Sequence, residues 1–188
     1  MPNHCQNKLI IACKTPEELE VIIKHLATDE EDLSFANIAP PPLEDPAYRD
    51  EPSQKEAKES PNWWYSWNVE NWGTKWDCYS VRLKIPDYDP KWQLPHVVYH
   101  FETAWSPPNS TLISYLSHLF PHATVCNWWS ETGMDFAGHG VYRAGEQEEF
   151  HEYKPPVRTS DLVWKATEQH PPLIFAVKEA LEEAGDDN

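Results

Sequence analysis

Histidine spacing is the first place to look for chemistry in this sequence. His96 and His100 fall on one face of a predicted strand, where the rise per residue puts them about 13 Å apart, too far to share one metal ion. His118 and His122 have the i, i+4 spacing of a helix face, but Pro121 is expected to end that helix. These pairs therefore predict no local metal site.

Other side chains give no stronger signal for catalysis. A metal site built from distant residues such as His139, His151 and Glu131 is an open alternative, but we expect neither a metal nor another cofactor. No cysteine pair has the C-x-x-C spacing of metal ligands, and no nucleophile motif or phosphate-binding glycine loop is present. We expect buried free thiols at Cys13, Cys78 and Cys126, and a chain that is more consistent with a binding protein than with an enzyme.

Tryptophan is concentrated in one stretch, "SPNWWYSWNVENWGTKWD", which runs from residue 60 to 77. Adjacent tryptophans cannot all point inward, so one member of each doublet is expected to be partly exposed, and Trp64 and Trp129 are candidate anchors for a partner. Most of the others are expected to pack over the sheet and close the core: Trp63, Trp67, Trp72, Trp76 and Trp105.

Negative charge is the strongest global property of the sequence. The formal net charge is −16, and two segments carry most of it. Residues 29–60 hold ten acidic and three basic residues, and residues 144–188 hold eleven and four. Because phosphate binding needs a basic surface, nucleic acid is not expected to bind directly.

The acidic segments allow two interpretations. Charge runs are most often solubilising loops and tails. Regularly spaced carboxylates can instead imitate nucleic-acid phosphates and occupy a basic channel of a partner protein. On the second interpretation the contact is made by Glu146, Glu148, Glu149 and Glu152, with the even-numbered residues on one strand face.

The pattern of elements predicts an α+β fold. Strand, helix, strand, strand, helix and strand follow one another, with extra strands and a C-terminal helix from about Pro171 to Gly185. This order is the split βαβ, ferredoxin-like plan, an antiparallel sheet with helices on one face. We expect one domain over residues 1–188, an acidic Pro-rich surface insertion at 29–60 and an acidic C-terminal extension at 144–188.

Four short motifs resemble one known family. They are "MPNHCQNKLII", "VENWGTKWD", "FETAWSPP" and "SETGMDFAG", and they fall between residue 1 and about 138. Together they resemble the phage- and plasmid-borne Api-like family, which has a ferredoxin-like domain. The resemblance implies a mobile-element origin and a site of action inside a bacterial host, and it supplies no catalytic residues.

These observations lead to two functional expectations. The first is a non-enzymatic acidic protein of a mobile genetic element that binds a basic host protein and inhibits a defence nuclease complex of the CRISPR or restriction type. The alternative is a small-molecule or nucleotide-binding module with a Trp-rich cleft, and catalysis in that cleft stays open. The apolar runs are too short to span a bilayer and no signal peptide is evident, so a cytoplasmic location is expected.

Overall fold

The computed structural model describes residues 3–49, 61–87 and 94–153. Its six strands are β1 (His4–Ala12), β2 (Tyr79–Lys84), β3 (His96–Ala104), β4 (Thr124–Glu131), β5 (Phe136–Arg143) and β6 (Glu146–Tyr153). Its α-helices are α1 (Pro16–Leu26), α2 (Pro46–Arg49), α3 (Trp64–Asn71) and α4 (Ser110–Leu119), and a 3₁₀ turn covers Phe35–Asn37.

One sheet contains all six strands in the order β2-β3-β1-β4-β5-β6, and every neighbouring pair is antiparallel. The part β2-β3-β1-β4 is the split βαβ arrangement, in which β1 and β4 lie beside each other at the centre of the sheet. The β5–β6 hairpin extends it on one side. The expected ferredoxin-like α+β fold with extra strands is therefore confirmed, whereas the expected C-terminal helix lies outside the described residues.

The starts of the two long helices differ in how well the sequence predicted them. The Thr15 hydroxyl accepts a hydrogen bond from the Glu18 N–H, and the Glu18 carboxylate accepts one from the Thr15 N–H, both at 3.3 Å, as the capping-box pattern predicts. At the start of α4, Ser106 before Pro107 has the sequence pattern of an N-cap, but Ser106 does not cap the helix. Its hydroxyl donates to the Gly73 carbonyl at 2.6 Å, and Asn109 caps the helix by accepting from the Leu112 N–H.

The main core lies on the helix-bearing face of the sheet. Alternate residues of the central strands point to it, including Leu9, Ile11, Val97, Tyr99 and Val125. The apolar stripes of α1 and α4 cover these residues. The opposite face carries a smaller buried cluster of Cys126, Trp128 and Val141, to which no described helix contributes a member.

The beginning of the segment expected to be a surface insertion belongs to the core. Leu33, Phe35 and Ile38 are at most 2% exposed, so this expectation is wrong for residues 33–38. Asp77 fixes the segment because its carboxylate accepts from the Ser34 hydroxyl at 2.6 Å and the Phe35 N–H at 2.7 Å. Residues 50–60 of the predicted insertion lie outside the described residues.

The tryptophans divide between core and surface. Trp72 is 4% exposed and donates its indole N–H to the Ala39 carbonyl at 2.9 Å, and Trp67 packs edge-on against it. Trp63 is half-buried.

The expectation of core packing is wrong for Trp76 and Trp105, which are 40% and 55% exposed. Trp105 follows β3 with a φ of 76°, a left-handed value that breaks the strand alternation.

All four cysteines are free and buried: Cys5, Cys13, Cys78 and Cys126. Burial raises the pKa of the Cys5, Cys13 and Cys126 thiols to about 12. Burial also raises the pKa of Cys78 far above its usual range, with Asp77 adding to the effect. Reactive thiolates are therefore disfavoured, and the expected burial of Cys13, Cys78 and Cys126 is confirmed.

Candidate functional site

The β5–β6 hairpin presents the densest group of functional side chains in the described structure. Its two-residue turn is Ala144–Gly145, with φ values of 49° and 90° that match the type I′ turn favoured in hairpins. Arg143 pairs with Glu146 and Tyr142 with Gln147 before the register changes.

A bulge then resets the register of β6. Tyr142 pairs with Gln147, but Val141 pairs with Glu149, so Glu148 is an extra residue with no partner opposite it. The pairing continues from Val141 to place His139 opposite His151. If Glu148 were instead paired with Val141 in a regular ladder, every later side chain of β6 would lie on the other face of the sheet.

One cross-strand row runs over the sheet face that lies opposite α1 and α4. The row contains, in order from β2 to β6, Arg82, His100, Lys8, Trp128, His139 and His151. Directly opposed residues on neighbouring strands bring their side chains into contact range. The row therefore has a basic end on β2, β3 and β1 and an imidazole end on β5 and β6.

The imidazole end is organised around a single carboxylate oxygen. His139 Nε2 lies 3.1 Å from Glu149 Oε1, and His151 Nε2 lies 3.0 Å from the same atom. The two imidazole ring centroids are 5.0 Å apart. Trp128 stacks on His139 with a centroid separation of 4.2 Å, which restrains the ring from the other side.

Burial lowers the pKa of three residues in this row: Lys8, His100 and His139. It lowers the pKa of His139, while the adjacent Glu149 carboxylate opposes the shift and His151 adds to it. It also lowers the pKa of His100, and the positive charges of Lys8, Arg82 and Lys84 act in the same direction. The pKa of Lys8 is lowered chiefly by its own burial.

The glutamates predicted as a partner surface are all on β6 but not on one face. Glu146 lies opposite Arg143, on the face away from the helices, whereas Glu152 lines a cleft on the helix side. Glu148 stands in the bulge, 3.6 Å from Arg143 Nη1. The expectation that the even-numbered residues share one face is wrong because the bulge changes the alternation.

Glu149 has a different position from the one expected. Its carboxylate is held between two imidazoles rather than projecting alone into solvent. Of the candidate metal group His139, His151 and Glu131, the structure brings the two histidines together but not Glu131. That carboxylate is 3% exposed and accepts the Gly133 N–H at 2.7 Å in the turn after β4. The E-x-H spacing at 149–151 was the sequence pattern that could have indicated this pair of ligands. The bulge in β6 determines that the pair lies beside His139, and the sequence pattern does not show the bulge.

The two predicted tryptophan anchors also differ. Trp129 is only 5% exposed, because it faces the helix side of β4 and covers Gly138 and Phe150, so its prediction as an exposed anchor is wrong. Its neighbour Trp128 is buried on the other face, so neither member of that doublet is exposed. Trp64 is half-buried, with Lys75 Nζ 5.8 Å from its ring centroid.

A cleft of about 580 Å³ lies on the helix side of β4, β5 and β6. Its aromatic lining includes Trp129, Phe136, Tyr142 and Phe150. The start of α4 and the carboxylate-bearing residues Asp135 and Glu152 form the polar rim. Among the described residues 61–77 of the tryptophan-rich stretch, only Gly73 lines this cleft, and its aromatic lining comes from other parts of the described structure.

No helix within residues 3–49, 61–87 and 94–153 combines the length and apolar character needed to cross a membrane.

Comparison with known proteins supports the fold and shows similarity to one family model over part of the chain. The crystal structure of protein api92 from Yersinia pseudotuberculosis superposes with a TM-score of 0.55 at 10% identity, over 84% of this chain and all of that chain. Uncharacterized protein YubB of Escherichia coli (strain K12) is 31% identical over 83 residues, which are 44% of this chain and 52% of that protein. The matched region thus spans about half the length of this curated relative. Residues 72–157 match the model of the ferredoxin-like domain in Api92-like protein.

Proposed function

We propose that this chain is a non-enzymatic acidic binding protein that engages a basic partner protein through strand β6. The observation that carries the proposal is the position of Glu146, Glu148 and Glu152, which are exposed on an edge strand of the described sheet. An edge strand offers unpaired backbone groups to an incoming chain. Carboxylates on both faces of that edge surround the contact with negative charge.

Electrostatics supports a basic partner. The net charge of −16 favours encounter with a positively charged surface and raises the association rate at low ionic strength. Glu149 adds its charge to this field while the two histidines hold its carboxylate. Trp64, half-buried beside Lys75, is the aromatic anchor in this proposal.

The partner that best fits this surface is a protein with a channel for nucleic acid. In the proposal it is a host defence nuclease complex of the CRISPR or restriction type, and the chain is the product of a mobile genetic element that acts in the bacterial cytoplasm. The resemblance of the four sequence motifs to the Api-like family supports this narrower assignment. The match of residues 72–157 to the Api92-like ferredoxin-like domain is consistent with it.

Affinity capture from a bacterial lysate tests the proposal. The tagged protein should retain a basic nucleic-acid-binding protein at low salt and release it at high salt, because ions screen charge contacts. The triple variant E146K/E148K/E152K should lose the partner. The variant E20K/D29K/E30K changes the net charge equally at exposed sites away from β6 and should retain it. Equal retention by both variants would overturn the proposal.

The aromatic cleft favours a second candidate, a small-molecule-binding module. Its volume of about 580 Å³ and its aromatic lining with a polar rim are typical of ligand sites. A metabolite that co-purifies with the protein, in the absence of a protein partner and with little dependence on salt, would favour this candidate. Mass spectrometry of the denatured protein's supernatant would identify it, and Trp129→Ala should abolish its retention.

A further inference from the structure

Three potential metal ligands lie together on the β5–β6 hairpin: His139, Glu149 and His151. Each residue offers one ligand atom, and the three atoms lie within 4.8 Å of one another. Both imidazole Nε2 atoms approach the same oxygen, Glu149 Oε1, at 3.1 and 3.0 Å. The three potential ligand atoms therefore lie close together on the β5–β6 hairpin.

Two of the three separations are close to those of a metal coordination sphere, and the third, between the two Nε2 atoms, is within 4.8 Å. Zinc binds imidazole nitrogen and carboxylate oxygen at about 2.0–2.2 Å, which puts neighbouring tetrahedral ligands about 3.4 Å apart. The two contacts to Glu149 need to lengthen by only a few tenths of an ångström to reach that value. Small rotations of side chains on a fixed backbone can supply this change.

The backbone holds the three residues in place. Glu149 and His151 are two residues apart on β6 and therefore share a face, and His139 lies directly opposite His151 on β5. Trp128 stacks on the His139 ring at 4.2 Å and fixes its plane. The His151 side chain is 58% exposed, so an ion can enter from solvent and complete its coordination with water.

We propose that His139, Glu149 and His151 bind one divalent transition-metal ion of the zinc class. Two imidazoles and one carboxylate suit Zn²⁺ and its neighbours in the first transition row better than Ca²⁺ or Mg²⁺, which prefer oxygen ligands alone. The ion joins β5 to β6 at the edge of the sheet and leaves at least one coordination position for water. Its ligands do not include Glu146, Glu148 or Glu152, the carboxylates that carry the partner contact proposed above.

Calorimetric titration of the tag-free full chain with ZnCl₂ at pH 7.5 tests the proposal. We expect one Zn²⁺ bound per chain. His151→Ala and Glu149→Gln should each weaken the affinity by at least about tenfold, since each removes one of three ligands. His151 is exposed, so its truncation leaves the core intact.

The matched control is His4→Ala. His4 Nδ1 also lies near a glutamate, 3.3 Å from Glu102, but the group has no second histidine. Its truncation should leave the Zn²⁺ affinity unchanged. Absence of binding by the unmodified chain at 100-fold excess of Zn²⁺, or unchanged affinity in both His151→Ala and Glu149→Gln, would overturn the proposal. Co²⁺ substitution gives a second readout, because visible absorption reports the ligand geometry directly and should change in His151→Ala.

Discussion

His139 on β5 stands directly opposite His151 on β6, with the two ring centroids 5.0 Å apart. Between this pair and the two-residue turn at Ala144–Gly145, Glu148 bulges out of the ladder and pairs with no residue of β5. A regular hairpin from the same turn would put His139 opposite Phe150 and send His151 to the other face.

The bulge leads to the first prediction. Deleting Glu148 removes only the unpaired residue, so the pairs on both sides of it can form a regular ladder. We expect the hairpin to keep its register, with a change in the free energy of unfolding of less than about 2 kcal/mol. Inter-strand NOEs between His139 and His151 would check this outcome. Their loss in an otherwise folded variant would show that the bulge assignment is wrong.

Leu33 should behave as a core residue although it lies in an acidic, Pro-rich part of the sequence. Its side chain is 1% exposed, so Leu33→Ala should lower the free energy of unfolding by about 2–4 kcal/mol. Leu43 lies in the same segment but is 50% exposed, and Leu43→Ala should cost less than about 1 kcal/mol. Urea unfolding of the two variants compares them directly, and equal effects would contradict the assignment of Leu33 to the core.

Asp77 should act as the clamp that holds the segment around Ser34 to the sheet. Asp77→Ala removes the acceptor for the Ser34 hydroxyl and the Phe35 N–H, and we expect a loss of about 2–3 kcal/mol. Asp87 is exposed and provides the control, with an expected change within about 0.5 kcal/mol. Thermal unfolding measures both, and a small effect at Asp77 would count against the clamp.

Gly138 should tolerate no side chain. A Cβ there would stand 2.5 Å from the His151 carbonyl oxygen and in closer contact with the Trp129 ring, so Gly138→Ala should cost about 1–3 kcal/mol. At Gly133 the nearest atoms are the movable ends of the Asn3 and Glu131 side chains, at 2.9 Å. Gly133→Ala should therefore cost less. The ranking of the two melting temperatures checks the prediction, and the reverse order would refute it.

Mild acid should destabilise the protein partly through His100. Burial and the nearby positive charges of Lys8, Arg82 and Lys84 lower its pKa below the ordinary value of about 6.5, and Glu102, two residues along β3, does not reverse the shift. The unfolded chain therefore binds more protons below about pH 6.5. The stabilisation is complete above that pH and is lost as the pH falls through the lower pKa of the folded state. Unfolding free energies at pH 7.5 and 5.5 should differ less in His100→Gln than in the unmodified chain, and equal differences would contradict the prediction.

The sequence alone was sufficient for the features that depend on local pattern. Thr15 and Glu18 marked the start of α1, because capping uses residues three positions apart. The order of strands and helices predicted the ferredoxin-like sheet, and the apolar surroundings of Cys13 and Cys126 predicted buried thiols. Each of these inferences needs only neighbouring residues and the repeat of one element.

Tertiary structure decided what depends on register and on distant packing. The bulge at Glu148 sets which β6 side chains share a face with His139, and no local periodicity reveals that single extra residue. The burial of Trp129 and Leu33 likewise depends on the elements that cover them. The type and spacing of side chains thus predict whether a segment is a helix or a strand. Which side chains lie opposite one another in the sheet is decided only when the strands pair.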